Sequence, residues 1–323
     1  MDQAKKTALE KAIQQEYGNT AGLVILKGNQ TLYEGYFNGC TAESRIHIFS
    51  VTKSILSLLI GIAIDNGTIE SVDQKVLDFF PEYEVSEENK TIQQITIRHL
   101  LTMTAPFSYE VEPYVEYFTS ESWLTFALSY LGGQDSVGSF QYRPIVGPDI
   151  LSGILTKATG ESVRTFADKH LFTPLGISVD SDIVFQSQEE QFAFYEATTI
   201  SGWVADRTGI NAAGWGLTLA PMDMAKIGSL YLNNGSWQEQ QIVSGEWIDE
   251  STREHSCWQE MNLAYGYLWW LIDENCYAAM GDGGNIIYVN KAKQLVVAST
   301  ALFVQDAKDR IDFIKAHIEP LIE

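Results

Sequence analysis

The sequence predicts an α+β fold: one antiparallel sheet built from both ends of the chain, flanked by helices, with a mostly helical region inserted between. Three observations carry this. Strand-like runs occur at residues 22–37 and return after Trp247. Helical periodicity dominates from about residue 74 to residue 235. The length, 323 residues, suits one large unit or two ordinary ones. The expected division is a discontinuous sheet unit of residues 1–75 and 236–323, an inserted helical unit of 76–235, and an active cleft at the seam.

Taken in order, residues 2–17 read as an amphipathic helix. Residues 22–27 and 31–37 form a hairpin across Gly28-Asn29-Gln30. A helix then runs from Ser50 through the apolar stretch 55–64 and stops at Asp65-Asn66-Gly67. Residues 82–90 are a charged linker, and short helices are expected at 97–103, 151–157 and 163–170. Four strands follow, at 263–272, 276–280, 286–290 and 295–302, and a helix at about 305–319 closes the chain.

Composition excludes several functions. A 45% hydrophobic, 12% aromatic chain fills a core and is not disordered. The net charge of −21 argues against a nucleic-acid binder, which needs a basic surface. It argues equally against docking on anionic lipid. Three cysteines, Cys40, Cys257 and Cys276, make no disulfide framework. His255 and Cys257 lack a second ligand pair at zinc spacing, so neither metal nor cofactor is expected. The first residues, Met1-Asp-Gln-Ala-Lys-Lys6, contain no apolar signal region, and no apolar run is long enough for a membrane span. The chain as given therefore reads as soluble and cytoplasmic.

Ser50-Val51-Thr52-Lys53 carries the chemistry. Residues three apart share one helix face. A lysine one turn inside a buried helix N-terminus is disfavoured as an ammonium, so its pKa falls and it can take the proton of an attacking hydroxyl. With 24 serines and 14 lysines, about one such spacing is expected by chance, and one is present. Its place at the start of a helix-length apolar run raises it above chance. The alternative is an ordinary helix with a capping serine and a snorkelling lysine.

Three more stretches bear on the same chemistry. Tyr142, on a loop just before a helix, can relay a proton if a lysine is near. Gly281-Asp282-Gly283-Gly284-Asn285 lies between two strands, and its glycines let a substrate approach main-chain N–H groups. The turn around Trp215, which leads into a helix, can line a pocket. Separately these also fit a packed tyrosine, a hairpin turn and a structural turn. The five histidines suggest no Ser-His-Asp triad, and there is no Gly-x-Ser-x-Gly elbow.

Together these motifs resemble the penicillin-recognising serine hydrolases: the branch with class C β-lactamases, D-alanyl-D-alanine carboxypeptidases, family VIII esterases and 6-aminohexanoate-oligomer hydrolases. The most specific matches are Ser50–Lys53, Arg98-His-Leu-Leu-Thr-Met103, Gly214-Trp-Gly-Leu217 and Tyr265-Gly-Tyr-Leu-Trp-Trp270. The resemblance implies a β-lactamase-like fold and a metal-free acyl-serine mechanism. It makes Ser50 the nucleophile, Lys53 its proton partner and Tyr142 the proton shuttle. The N–H groups of Ser50 and Asp282 form the oxyanion hole, with Gly281, Gly283, Gly284, Asn285, Trp215 and Arg143 lining the substrate.

Two departures narrow the substrate. The family's Tyr-x-Asn is Tyr142-Arg143-Pro144, so the asparagine that touches a substrate amide is missing. Before the oxyanion residue the family carries Lys or His; this chain has Ala279-Met280-Gly281. Losing that charge-assisted hydrogen bond costs about 1.5–3 kcal/mol toward a substrate carboxylate. The expected substrate is a small ester, amide or peptide-like molecule rather than a β-lactam, with Arg143 as a candidate substitute cation. A D,D-peptidase, penicillin-binding protein or β-lactamase is the alternative, and a non-catalytic ligand-binding protein on the same scaffold is the alternative of another class. The oligomeric state is not legible.

Overall fold

The computed structural model describes residues 1–322. One eight-stranded antiparallel sheet organises it. Across the sheet the strands run Gln30–Tyr36, Thr20–Lys27, Leu295–Ala301, Asn285–Asn290, Cys276–Gly281, Trp270–Asp273, Leu263–Tyr265 and Ser256–Trp258. The N-terminal hairpin joins the C-terminal strands directly, with Val24 opposite Ala298. The two chain ends thus build one sheet.

The central strands are buried on both faces, which explains their near-continuous apolar runs. Alternation still sorts the side chains. Leu23, Ile25, Tyr288 and Val297 meet the terminal helices through Leu9, Ile13, Phe313 and Ile318. Val24, Leu26, Val289 and Val296 face the other core, which contains the helix Val51–Asp65. Every residue of that helix from Val51 to Ala63 is buried. A helix apolar on all sides belongs at the centre of a molecule, and this one lies between the sheet and the helix Val146–Thr159. Helix Pro221–Leu232 packs on the same sheet face, across strands Thr20–Lys27, Asn285–Asn290 and Leu295–Ala301.

Several element boundaries differ from expectation. The single strand expected at 263–272 is two, joined by a tight turn in which Gly266 N–H donates to Trp269 O at 2.9 Å. Aromatic composition there suggests one continuous strand, but Leu268 has φ of +61°, which a strand does not accommodate. The closing helix starts at Arg310, because the Asp309 carboxylate caps the Ile311 and Asp312 N–H groups. The helix expected at 151–157 starts earlier and runs Val146–Thr159. Among the described residues, no helix is long and apolar enough to cross a membrane.

Candidate active site

Ser50 stands at the N-terminus of helix Val51–Asp65, yet its side chain makes no cap hydrogen bond. The hydroxyl instead accepts from Lys53 Nζ at 2.7 Å. A mere capping serine would spend its oxygen on a backbone N–H. The residue before it, Phe49, is left-handed, with φ of +48°. For a bulky residue this conformation costs about 1–2 kcal/mol.

Lys53 is 2% exposed. Its second acceptor is Gly214 O, at 2.9 Å. Burial pushes its pKa down to about 7, against the opposing pull of Asp282, Glu112 and Asp149. The ammonium and the free amine are therefore both accessible near neutrality. Gly214 comes so close to the Tyr142 loop that a Cβ there would sit 2.4 Å from Pro144 O. Ala213, beside it, donates its N–H to Asp149 Oδ1 at 2.8 Å. Asp149 is fully buried and also accepts from the Tyr117 phenol. Burial pushes the Asp149 carboxyl up to about 7, partly offset by those two donors.

Tyr142 is half-buried, packed against Trp258 and Trp270, with Lys53 Nζ 5.7 Å from its ring centre. Burial holds its phenol well above the ordinary tyrosine range, partly offset by a hydrogen bond with Ser50. The phenol therefore keeps its proton at neutral pH. Its loop is fastened by Glu112, whose Oε1 accepts from Ile145 N–H at 2.9 Å and Val146 N–H at 2.8 Å. Ile145 has no side chain able to cap helix Val146–Thr159, and Glu112 supplies the cap from a distant loop.

Strand Cys276–Gly281 ends against the serine. A Cβ on Gly281 would lie 2.3 Å from Ile48 O and 3.2 Å from Ser50 N, so only glycine permits this approach. The Ser50 N–H has no backbone acceptor among the described residues. Asp282 follows at the cleft edge, with an exposed side chain.

Ser50, Tyr142, Trp215 and Asp282 all line one cavity of about 930 Å³. Phe49, Tyr114, Phe118, Tyr195 and Phe303 add aromatic wall. His47 also lines it, 1% exposed. Its Nε2 accepts from Gly216 N–H at 2.9 Å, which puts the ring proton on Nδ1, and burial drives its pKa down to about 3.

The other expected lining residues do not line the cavity. Asn285 is 1% exposed and closes its own turn, donating to Asp282 O and accepting from Ala301 N–H. Gly283 backs onto Leu302 and Phe303, and Gly284 onto Arg310. Arg143 points elsewhere: its guanidinium bonds Glu110 O and Gln141 and lies 4.7 Å from the Tyr109 ring centre. It does not replace the missing cation.

A beta-lactamase family profile matches residues 8–315. The chain belongs to the beta-lactamase family. A 6-aminohexanoate-dimer hydrolase of Paenarthrobacter ureafaciens is 25% identical over 246 residues, covering 71% of this chain and 56% of that protein. The chain thus spans little more than half the length of that relative. A putative 6-aminohexanoate-dimer hydrolase from Bacillus anthracis superposes with TM-score 0.73 at 17% identity, covering 97% of this chain and 81% of that one. A family VIII carboxylesterase superposes with TM-score 0.66 at 15% identity, covering 94% and 92%. At those identities the structural likenesses speak to fold alone.

Within this beta-lactamase fold, sequence reasoning missed His47, Tyr195 and Phe303 as cavity residues. No local pattern marks them, because three separate segments bring them together. Tyr114, in the wall, and Glu112, behind it, come from residues 106–122, a stretch rich in glutamate and aromatic side chains in which nothing local fixes where either residue lands.

Proposed function

We propose that the protein is a metal-free serine hydrolase that forms an acyl-enzyme on Ser50 and hydrolyses a small ester or amide. The observation that carries this reading is the 2.7 Å contact of a buried Lys53 with the oxygen of Ser50, which is released from capping and lines an aromatic cavity. In its neutral form Lys53 accepts the Ser50 proton as Oγ bonds the substrate carbonyl carbon. The developing oxyanion falls to the N–H groups of Ser50 and Asp282. As the carbon–oxygen or carbon–nitrogen bond breaks, the protonated Tyr142 phenol passes a proton to the leaving group and is reprotonated through Lys53. Water then attacks the acyl carbon, giving its proton back along the same path, and Ser50 is restored.

The missing base at Ala279-Met280 and the engaged Arg143 disfavour a substrate carboxylate, and hence a β-lactam. The test is intact mass during incubation with p-nitrophenyl butyrate and, separately, benzylpenicillin, with Ser50→Ala as control. A transient butyryl adduct with nitrophenol release, absent in the variant, is expected. A stable penicilloyl adduct would replace this reading with a penicillin-binding protein. Full hydrolysis by Ser50→Ala would end it.

A further inference from the structure

The cavity around Ser50 is unusual in its charge. Among the described residues two carboxylates, Glu196 and Asp282, line it, and no lysine or arginine does. Both side chains are exposed, and neither forms an ion pair within 4 Å among the described residues, although Asp282 acts electrostatically on the buried Lys53. A third, Glu112, acts electrostatically on Lys53 and Tyr142. Its Oε2 is buried without a hydrogen-bond partner.

The groups able to oppose this negative charge are accounted for. His47 is neutral. Lys53 is committed to Ser50 Oγ and Gly214 O. Arg143 is held outside by Glu110 and Gln141. Where the family places a cation, the strand has Ala279 and Met280.

The rest of the wall is aromatic. Tyr114 and Phe192 are exposed at the rim, and Phe118, Tyr195 and Trp215 lie further in. Aromatic faces attract cations, most strongly when these shed water, and nearby carboxylates add to the attraction. The overall charge of −21 draws cations toward the whole molecule.

We propose that this cavity selects substrates bearing an ammonium group, held between Glu196, Asp282 and the aromatic wall. The inference inverts the charge preference that the family resemblance implies, a cation holding a carboxylate. It rests on the acyl-serine reading for turnover but not for binding, and the two separate by experiment.

Three thioesters differing only in charge measure it: butyrylthiocholine, its neutral isostere S-(3,3-dimethylbutyl) thiobutyrate, and the anionic S-(2-carboxyethyl) thiobutyrate. The expected order of kcat/KM is cationic, neutral, anionic, with a cationic-to-neutral ratio of about tenfold at low salt. That ratio shrinks at high salt, and it shrinks in Glu196→Gln. Equal rates for the three, or an anionic preference, overturn the inference and leave the acyl-serine reading standing. Binding is followed separately by tryptophan fluorescence, with tetraethylammonium against neopentyl alcohol. Saturable binding of the ammonium alone, weakened in Glu196→Gln, supports the inference even if no thioester is turned over, a result that would count against the hydrolase reading. No preference for the ammonium in this titration overturns the inference whatever the kinetics show.

Discussion

Lys53 Nζ and Ser50 Oγ share a 2.7 Å hydrogen bond at the start of one helix, and the serine makes no cap on that helix. The pair is poised by burial. With Lys53 pushed down to about 7, kcat/KM should rise with pH through an apparent pKa near that value, because the neutral amine is the acceptor in the proposed mechanism. Its folded pKa lies below the unfolded value of about 10.4, so between the two the unfolded chain binds a proton that the folded chain lacks. Stability should therefore rise with pH across that window. Lys53→Met should cut kcat/KM by about 10³-fold. At pH 6 or 7 it should raise Tm, because an apolar side chain of similar length carries no desolvation penalty. A Tm that falls at neutral pH would contradict this assignment of cost.

Glu112 raises the Lys53 pKa and fastens the Tyr142 loop. Glu112→Gln keeps an acceptor oxygen and removes the charge. The acid limb of the pH–rate profile should then move to lower pH, because the ammonium loses a stabilising neighbour. Glu112→Ala also removes the helix cap, and should lower stability by about 1–2 kcal/mol in urea unfolding.

Gly281→Ala should place a methyl group 2.3 Å from Ile48 O and force the strand away from Ser50. The expected loss in kcat is about 10²-fold, since a shift of about 1 Å in the proposed oxyanion donors is enough. Overpacking should cost about 1–3 kcal/mol of stability. Kinetics and thermal unfolding measured on the same sample check both.

Asn19 braces the Asp282 turn from behind. Its Nδ2 donates to Gly283 O at 2.7 Å and Leu302 O at 2.8 Å, while its Oδ1 accepts from Arg310 Nη2 at 2.7 Å. Arg310 is 4% exposed. Asn19→Ala should lower kcat about tenfold with KM nearly unchanged, as a positioning residue for the proposed oxyanion donor Asp282, and lower stability by about 1–3 kcal/mol. A rise in KM alone would instead place its effect on ground-state binding.

The Ser50–Lys53 pair was legible because it is local: three residues on a helix bring two side chains together whatever the rest of the chain does. The antiparallel sheet from both termini was legible for the same reason, since alternation marks each strand by itself. The two strands inside 263–272 were not, because a run rich in Tyr and Trp fits a strand and a tight turn alike. Arg143 and Asn285 show the limit for site residues. Each sits in the expected motif, but Tyr109 and Glu110 draw the arginine outward, and Ala301 holds the asparagine in its turn.

By itself, then, the sequence determined most of the elements, the family and the pairing of Ser50 with Lys53, all encoded in periodicity and short spacing. Only the tertiary structure decided how the pair is tuned and what it faces. The Lys53 pKa depends on desolvation by residues from across the fold, and the acceptor Gly214 and the edge Gly281 reach the serine only after the chain has closed on itself. The cavity's charge was set the same way: folding placed Glu196 and Asp282 in its wall and turned Arg143 out of it.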